Sequence, residues 1–333
     1  MGGQNSKVLS ITGISLLSGG LDSILAAKVI MEQGIEVVGI TFETPFFNAQ
    51  KARQATDRIG IPLIVIDFTN EYLVMLRAPR YGYGKNMNPC IDCHTLMLKK
   101  AGEKMEELGA DFLFTGEVLG QRPMSQTKQS LHIASKRSGY EELILRPMSA
   151  KLLPETIPEK EGTVDRERLL DIEGRSRKRQ IAMAGEYGII EYSNPGGGCL
   201  LTDPMFSRRL KDLFHYHPDF KVRDLELLKA GRHLRLDEET KIIVGRNEKD
   251  NDAIEGLVEN DDVVVTMGDV PGPITLIPYG CNEEKLHKAA TICAMYSDAP
   301  NNEKATAHCS RGDTVKFIEV TAEKMDEVQK LMI

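Results

Sequence analysis

Ile14-Ser15-Leu16-Leu17-Ser18-Gly19-Gly20-Leu21-Asp22-Ser23 is the stretch from which the rest of the chain can be read. An apolar run opens abruptly into two glycines, an aspartate and two serines, and Ile24 to Ile30 follows with helical composition. The pattern predicts a strand, a tight loop and a helix. Glycines let the backbone turn sharply and bring its N–H groups against an anion, and a helix start adds unpaired donors and the positive end of the helix dipole. Such a loop suits phosphate. It lacks the Gly-Lys-Ser/Thr of a Walker A loop and the Gly-x-Gly-x-x-Gly of a dinucleotide site. The competing explanation is a glycine turn capped by Asp22 and Ser23 for structural reasons alone.

Outward from the loop, Ile35 to Phe42 reads as a second strand, Asn48 to Ile59 as helix-compatible, and Ile61 to Asp67 as a third strand. Strands separated by ten to fifteen residues of helical pattern imply a parallel α/β sheet with ligands at the carboxyl ends of its strands. That rule puts a bound ligand near Ile40, Thr41 and Phe42, read by their backbone groups. Tyr72 to Asn88, rich in Arg, Tyr, Gly and Pro, reads as a loop that delivers Asn88-Pro89-Cys90-Ile91-Asp92-Cys93-His94, and Thr95 to Leu108 as an amphipathic helix. Asp111 to Glu117 and Leu143 to Pro147 read as further strands, so that Gly116, Glu117 and Gln121 sit at the sheet's carboxyl edge. Asp165 to Gly185 is helical in pattern, and its Arg175-to-Arg179 cluster is either a solvated face or a phosphate contact.

The chain of 333 residues is long for one domain and sufficient for two or three. No run approaches the ~18 apolar residues of a membrane span, which predicts a cytoplasmic protein without a membrane partner. With 42 basic and 49 acidic residues the net charge is −7, which excludes a generally basic nucleic-acid binder but not a local cationic face. Six cysteines without a secretion signal point to metal or thiol chemistry rather than a disulfide framework. Cys90 and Cys93 fit half a zinc site, a redox dithiol or part of an iron–sulfur site. Cys199, at the tip of the glycine loop Tyr192 to Gly198, is the candidate third ligand, with His94 a weaker fourth. Three thiolates without a fourth protein ligand suit a 4Fe-4S cluster with one open iron; a persulfide route and zinc stay open. Cys281, Cys293 and Cys309 lack close pairing and read as buried or incidental.

After Asp203-Pro204 the character changes, and the domain boundary is predicted at residues 206 and 207. Met205 to His217 reads as a helix, and short apolar strands with interspersed charge follow to Ile277, a small α+β domain over 207–333. Arg232, His233, Arg235, Arg246 and Lys249 are candidates for a local cationic surface.

Ser18 to Ser23 resembles the Ser-Gly-Gly-x-Asp-Ser loop of the PP-loop ATP pyrophosphatases, whose fold is adenine nucleotide alpha hydrolase-like. That family cleaves ATP to AMP and pyrophosphate so that a carbonyl is adenylylated and then attacked by a nucleophile. Thr115-Gly116-Glu117-Val118-Leu119-Gly120-Gln121, through Ser125-Gln126-Thr127 to Leu145-Arg146-Pro147, resembles tRNA 4-thiouridine synthetases. Asn88-Pro89-Cys90-x-x-Cys93 with a distant cysteine resembles tRNA 2-thiouridylases. The run Gly231 to Leu236 and Ile243 to Asn247 resembles an NFACT-type RNA-binding domain. The resemblance implies a tRNA-uridine sulfurtransferase in residues 1–206. ATP phosphates would lie on Ser18, Gly19, Gly20, Asp22 and Ser23, with Mg²⁺ near Asp22 and Ser23, and the ligand near Ile40, Thr41 and Phe42 would be the adenine of ATP. Asp22, Cys90, Cys93 and Cys199 would be catalytic, the three cysteines also holding the cluster. The single-cysteine arrangement of many 4-thiouridine synthetases and any rhodanese domain are absent, so sulfide and a cysteine desulfurase are both candidate donors. A homodimer is compatible with the sequence.

Overall fold

The computed structural model describes residues 10–192, 198–322 and 326–333. It falls into two compact units, Met1–Leu200 and Leu201–Ile333. The first unit runs β1 (Thr12–Leu16), α1 (Leu21–Met31), β2 (Glu36–Glu43), α2 (Gln50–Ile59), β3 (Leu63–Asp67), α3 (Thr69–Arg77), α4 (Cys90–Leu108), β4 (Phe112–Thr115), α5 (Lys128–Ser138), β5 (Ile144–Leu145), α6 (Ile157–Lys160) and α7 (Lys178–Glu186). Its five strands lie in the order β3-β2-β1-β4-β5, all parallel. The α/β class predicted from strand spacing is the one observed.

This order reverses at β1. Successive strands go to one side of it as far as β3, and the chain then returns to place β4 on the other side. A crevice opens at the carboxyl ends of β1 and β4, the switch point where ligands of such sheets bind. Alpha1 leaves β1 directly at that point and is sunk in the core, with Leu21, Leu25, Ala26, Ala27 and Ile30 fully buried. A helix apolar on nearly all sides cannot face water, so the start of α1 is held in place by everything around it.

Three stretches depart from the sequence reading. Part of the expected Tyr72–Asn88 loop is helix: Tyr72 and Leu76, one turn apart, bury themselves on α3, and the irregular region runs from Ala78 to Pro89. Helix α4 starts at Cys90, earlier than the Thr95 expected, because Pro89 serves as its N-cap residue; Cys90 and Cys93 therefore share one face of the first turn. Of the expected Asp165–Gly185 helix, only α7 forms. The preceding chain is tied down instead: Ile172 N–H donates to Met148 O, Ser149 Oγ to Ile172 O, and Gly174 N–H to Leu119 O.

The second unit comprises α8 (Pro204–Tyr216), α9 (Val222–Leu227), β6 (Arg232–Arg235), β7 (Lys241–Val244), α10 (Glu248–Glu255), β8 (Val263–Met267), β9 (Thr275–Ile277), α11 (Glu283–Met295), β10 (Lys304–Arg311) and β11 (Thr314–Thr321). The strands form one antiparallel sheet in the order β11-β10-β8-β9-β7-β6. Alpha11 packs on one face through Ala289, Ala290 and Cys293, and Leu227 and Ile254 cover part of the other against Ile243 and Leu276. This is the α+β architecture predicted. The cationic face is not as the sequence suggested. His233 is fully buried, its Nε2 bonded to Ala230 O, and burial together with the charges of Lys241 and Arg209 holds its pKa well below the ordinary imidazole value. Arg235 is bound in bidentate fashion to Asp212 (3.0 and 2.6 Å), and Arg246 to Asp250 (2.5 and 3.2 Å). Arg232 lies over the Tyr296 ring, whereas Lys249 is exposed.

Candidate activation and sulfur site

The loop between β1 and α1 is shaped by what stands behind it. Gly19 adopts φ +73°, and a Cβ there would lie 2.3 Å from the backbone carbonyl of Lys51 at the start of α2. Only glycine meets both demands. Gly116, just past β4, is as tightly placed: its Cβ would sit 2.4 Å from Ser23 N and Cα. The end of β4 thus presses directly on the first turn of α1. Gly20 is the α1 N-cap residue and supplies no side-chain cap, so the first N–H groups of the helix lack that satisfaction, which is the arrangement that binds phosphate. Ser23 Oγ donates to Gly20 O (2.8 Å) and lies 3.4 Å from Ser18 Oγ.

Asp22 projects from the first turn of α1. Its Oδ2 accepts from Gln121 Nε2 at 2.7 Å, and its Oδ1 is buried with no hydrogen-bond partner. A buried carboxylate oxygen without a donor is costly, and a divalent cation would satisfy it with the hard oxygen ligand it prefers. The site therefore fits Mg²⁺ at Asp22.

Glu117 turns away from the loop. Its Oε2 accepts from Arg146 Nε (3.0 Å) and Thr115 Oγ1 (3.1 Å), and its Oε1 lies 2.8 Å from His94 Nδ1. Burial raises its pKa, but the Arg146 charge and the His94 hydrogen bond outweigh that and hold the carboxyl at about 2. Glu117 is a buried ion-pair partner that fixes His94 on α4, and both its oxygens are engaged by protein. The expectation that it contacts nucleotide is corrected accordingly. The side chains of Ile40 and Phe42 are taken up by the core, which leaves the backbone to read a ligand. Ile40 is fully buried in β2 and its carbonyl accepts from Leu17 N–H, while the Phe42 ring packs 4.7 Å from that of Phe68. What remains for a ligand there is the backbone of Thr41 and Phe42 beyond the last β1 pair, Leu16 with Ile40.

Cys90, Cys93 and Cys199 are all partly buried. Leu200 N–H donates to Phe46 O just after β2, which brings the Cys199 segment to the start of α4. Cys93 lies within charge–charge range of both Cys199 and Cys90, and Tyr72, whose hydroxyl bonds Cys93, within range of all three. Burial, then the proximity of Cys199, pushes the Cys93 thiol well above its ordinary pKa, and the Tyr72 hydrogen bond opposes this. Asn88 Nδ2 donates to Cys90 Sγ (3.2 Å). Phe46, Phe47 and Phe68 ring Tyr72 at 5.7, 5.5 and 5.4 Å, an apolar wall behind the sulfurs. Asp92, the nearest carboxylate named in the Cys93 environment, is engaged by the Arg80 and Tyr81 amides. Among the described residues no group of three or more His, Cys, Asp or Glu side chains is arranged to hold a metal ion as it stands. The donor chemistry fits a thiophilic group nonetheless: sulfur ligands with no unengaged carboxylate beside them suit a soft cation, which takes them as thiolates and releases their protons. Ser193 to Gly197 of the glycine loop lie outside the described residues.

Sequence reasoning missed Tyr72, Arg146 and Gln180. Each acts through a contact distant along the chain, and each sits in a stretch read for its pattern without that residue's role being visible. Among the described residues no helix is long and apolar enough to cross a membrane.

Fold and loop together define an α/β nucleotide-binding unit of the PP-loop type joined in the chain to a separate α+β unit. Comparison with known proteins gives the same two parts: residues 9–152 match the family described as thiamine biosynthesis protein (ThiI), and residues 231–332 match the NFACT protein RNA binding domain. The chain is 38% identical to a tRNA-specific 2-thiouridylase MnmA of Clostridium acetobutylicum over 30% of its own length and 34% of that protein's. It is 25% identical to the MnmA of Symbiobacterium thermophilum over 59% of this chain and 54% of the other. The matches thus span about a third to half of the length of these curated relatives. A crystal structure of a 4-thiouridine synthetase–RNA complex with bound ATP covers 58% of this chain and 45% of its own, with a TM-score of 0.39 and 22% identity.

Proposed function

We propose that the protein is an ATP-dependent sulfurtransferase acting on a uridine of tRNA. The observation that carries this reading is one unit holding both halves of the chemistry, a phosphate-type loop with an unsatisfied carboxylate oxygen at Asp22 and three converging thiols at Cys90, Cys93 and Cys199. The uracil carbonyl oxygen attacks the α-phosphorus of ATP, and pyrophosphate leaves. A sulfur nucleophile then attacks the activated ring carbon, and AMP departs with the original oxygen. The backbone N–H groups after Ser18 hold the phosphates and Asp22 holds Mg²⁺, so the protein works by positioning and charge stabilisation. The base must be presented unstacked. RNA is assigned to the unit from Leu201 onward, supported by the RNA-binding family match over 231–332.

Cys90, Cys93 and Cys199 are the residues that would hold a 4Fe-4S cluster, which supplies an open iron able to carry hydrosulfide. Sulfide or a cysteine desulfurase would be the donor. A second reading is a persulfide on one cysteine, resolved by another as a disulfide that an external thiol then reduces. Amidation, which shares the ATP chemistry, has no use for a thiol triad.

The test is mass spectrometry of tRNA nucleosides from a strain lacking the protein. Loss of one thionucleoside is expected, and an unchanged profile would overturn the RNA assignment. Anaerobically purified protein is expected to be brown with about four irons per chain; iron-free protein after reconstitution would move the reading to the persulfide route.

A further inference from the structure

Asp22 is the end of a relay that begins on a helix outside the matched family region. Gln121 Nε2 donates to Asp22 Oδ2 at 2.7 Å, and Gln180 Nε2, on the first turn of α7, donates to Gln121 Oε1 at 3.1 Å. Gln180 is fully buried. The direction of both amides follows from the carboxylate. Asp22 can only accept, so Gln121 must turn its NH₂ to it, which leaves the Gln121 carbonyl facing Gln180 and requires Gln180 to donate in turn. Both partners are held independently of the relay. The Gln121 loop is fixed by Leu119 N–H to Ser149 Oγ (2.9 Å) and Gly120 N–H to Gln126 O (2.7 Å). The approach to α7 is fixed by Gly174 N–H to Leu119 O (2.7 Å), and α7 itself is anchored through Ala184 in the core that contains α1.

We propose that Gln180 and Gln121 are positioning residues that lock Asp22 in one rotamer, with Oδ2 occupied and Oδ1 left as the open ligand for a divalent cation on the bound triphosphate. The inference rests on the reading of Ser18 to Ser23 as an ATP site. A carboxylate on the exposed first turn of a helix ordinarily samples several rotamers. Here two buried amides in series fix it, and the oxygen they leave over is itself buried and unpartnered. The amide of Gln180 also keeps one oxygen without a partner, so the residue is retained at a cost that packing alone does not explain. Alpha7 thereby belongs to the activation site although no motif marks it.

The experiment uses the full chain, α,β-methylene-ATP as a non-reacting probe, and Mn²⁺ as a spectroscopic stand-in for Mg²⁺. Gln180→Leu and Gln121→Leu are expected to weaken Mn²⁺ binding to the analogue complex about 10-fold, while affinity for the analogue in EDTA stays within about twofold. The double variant is expected to be no worse than Gln121→Leu alone, because both act through one oxygen. Gln180→Met, which keeps the approximate size but has no N–H or O–H to donate to the Gln121 carbonyl, is expected to behave as Gln180→Leu and serves in its place should the leucine variant not fold. Unchanged Mn²⁺ affinity in a folded Gln180 variant, additive loss in the double variant, or equal loss of analogue affinity in EDTA would each overturn the relay. Failure of the unmutated protein to bind the analogue would instead remove the ATP-site reading beneath it.

Discussion

At the scale of single residues, two positions bear the closest tolerances. A methyl group on Gly116 would meet backbone atoms of Ser23 at 2.4 Å, and no side-chain movement relieves a clash with backbone. Gly116→Ala is expected to cost about 1–3 kcal/mol of stability as an overpacking change and to abolish conversion of ATP to AMP, measured by thermal melts and by pyrophosphate release. Glu117 gives a pH signature. Its folded pKa of about 2 lies below the ordinary glutamate value of 4.5, so its contribution is complete above pH 4.5 and is lost as the pH falls from there toward 2. Glu117→Gln leaves Arg146, only 7% exposed, as a buried unpaired charge at a cost of roughly 3–5 kcal/mol. Chemical denaturation from pH 7 to 3 is expected to show a lower plateau and a shallower acid slope in the variant.

At the scale of elements, the first turn of α4 is where the two halves of the chemistry separate. Cys90 and Cys93 lie on that turn, Cys199 arrives by the Leu200–Phe46 hydrogen bond, and none of the three thiols takes part in holding Asp22. Cys199→Ser is therefore expected to lower thionucleoside formation by at least about 100-fold, a deficit near 3 kcal/mol in barrier, while RNA-dependent release of pyrophosphate persists. Parallel loss of both activities would count against the division of labour. In the second unit, β6 carries Arg235 to Asp212 instead of to solvent. Arg235→Ala is expected to destabilise that unit, by less than the roughly 3–5 kcal/mol of a fully unpaired buried charge, since Asp212 keeps Lys241 at 3.4 Å. The slope of log RNA affinity against log salt, which counts phosphate contacts, is expected to stay as it was; a decrease by about one would return Arg235 to the RNA surface.

At the scale of the whole molecule, the parallel sheet, the loop and the start of α1 were legible because each is written in neighbouring residues. The apolar run into Ser18-Gly19-Gly20, the alternation of strand and helix patterns and the change of character after Pro204 are local signals, and they determined the parallel α/β class and the α+β character of the rest, whereas the strand order came from the tertiary structure. Local signals also misled where a neighbour in space overrode them: Tyr72 to Arg77 looked like loop until Tyr72 was buried among three phenylalanines, and His233 looked cationic until the second unit closed over it. Only the tertiary structure decided that Cys199 meets Cys93, that Glu117 is engaged by Arg146 and His94, and that Gln180 steadies Asp22 through Gln121. The physical reason is the same in each case. Backbone conformation and periodic burial follow from residues a few positions apart, whereas the partner of a buried charge, thiol or amide is chosen by whichever distant segment the packing brings within hydrogen-bonding reach.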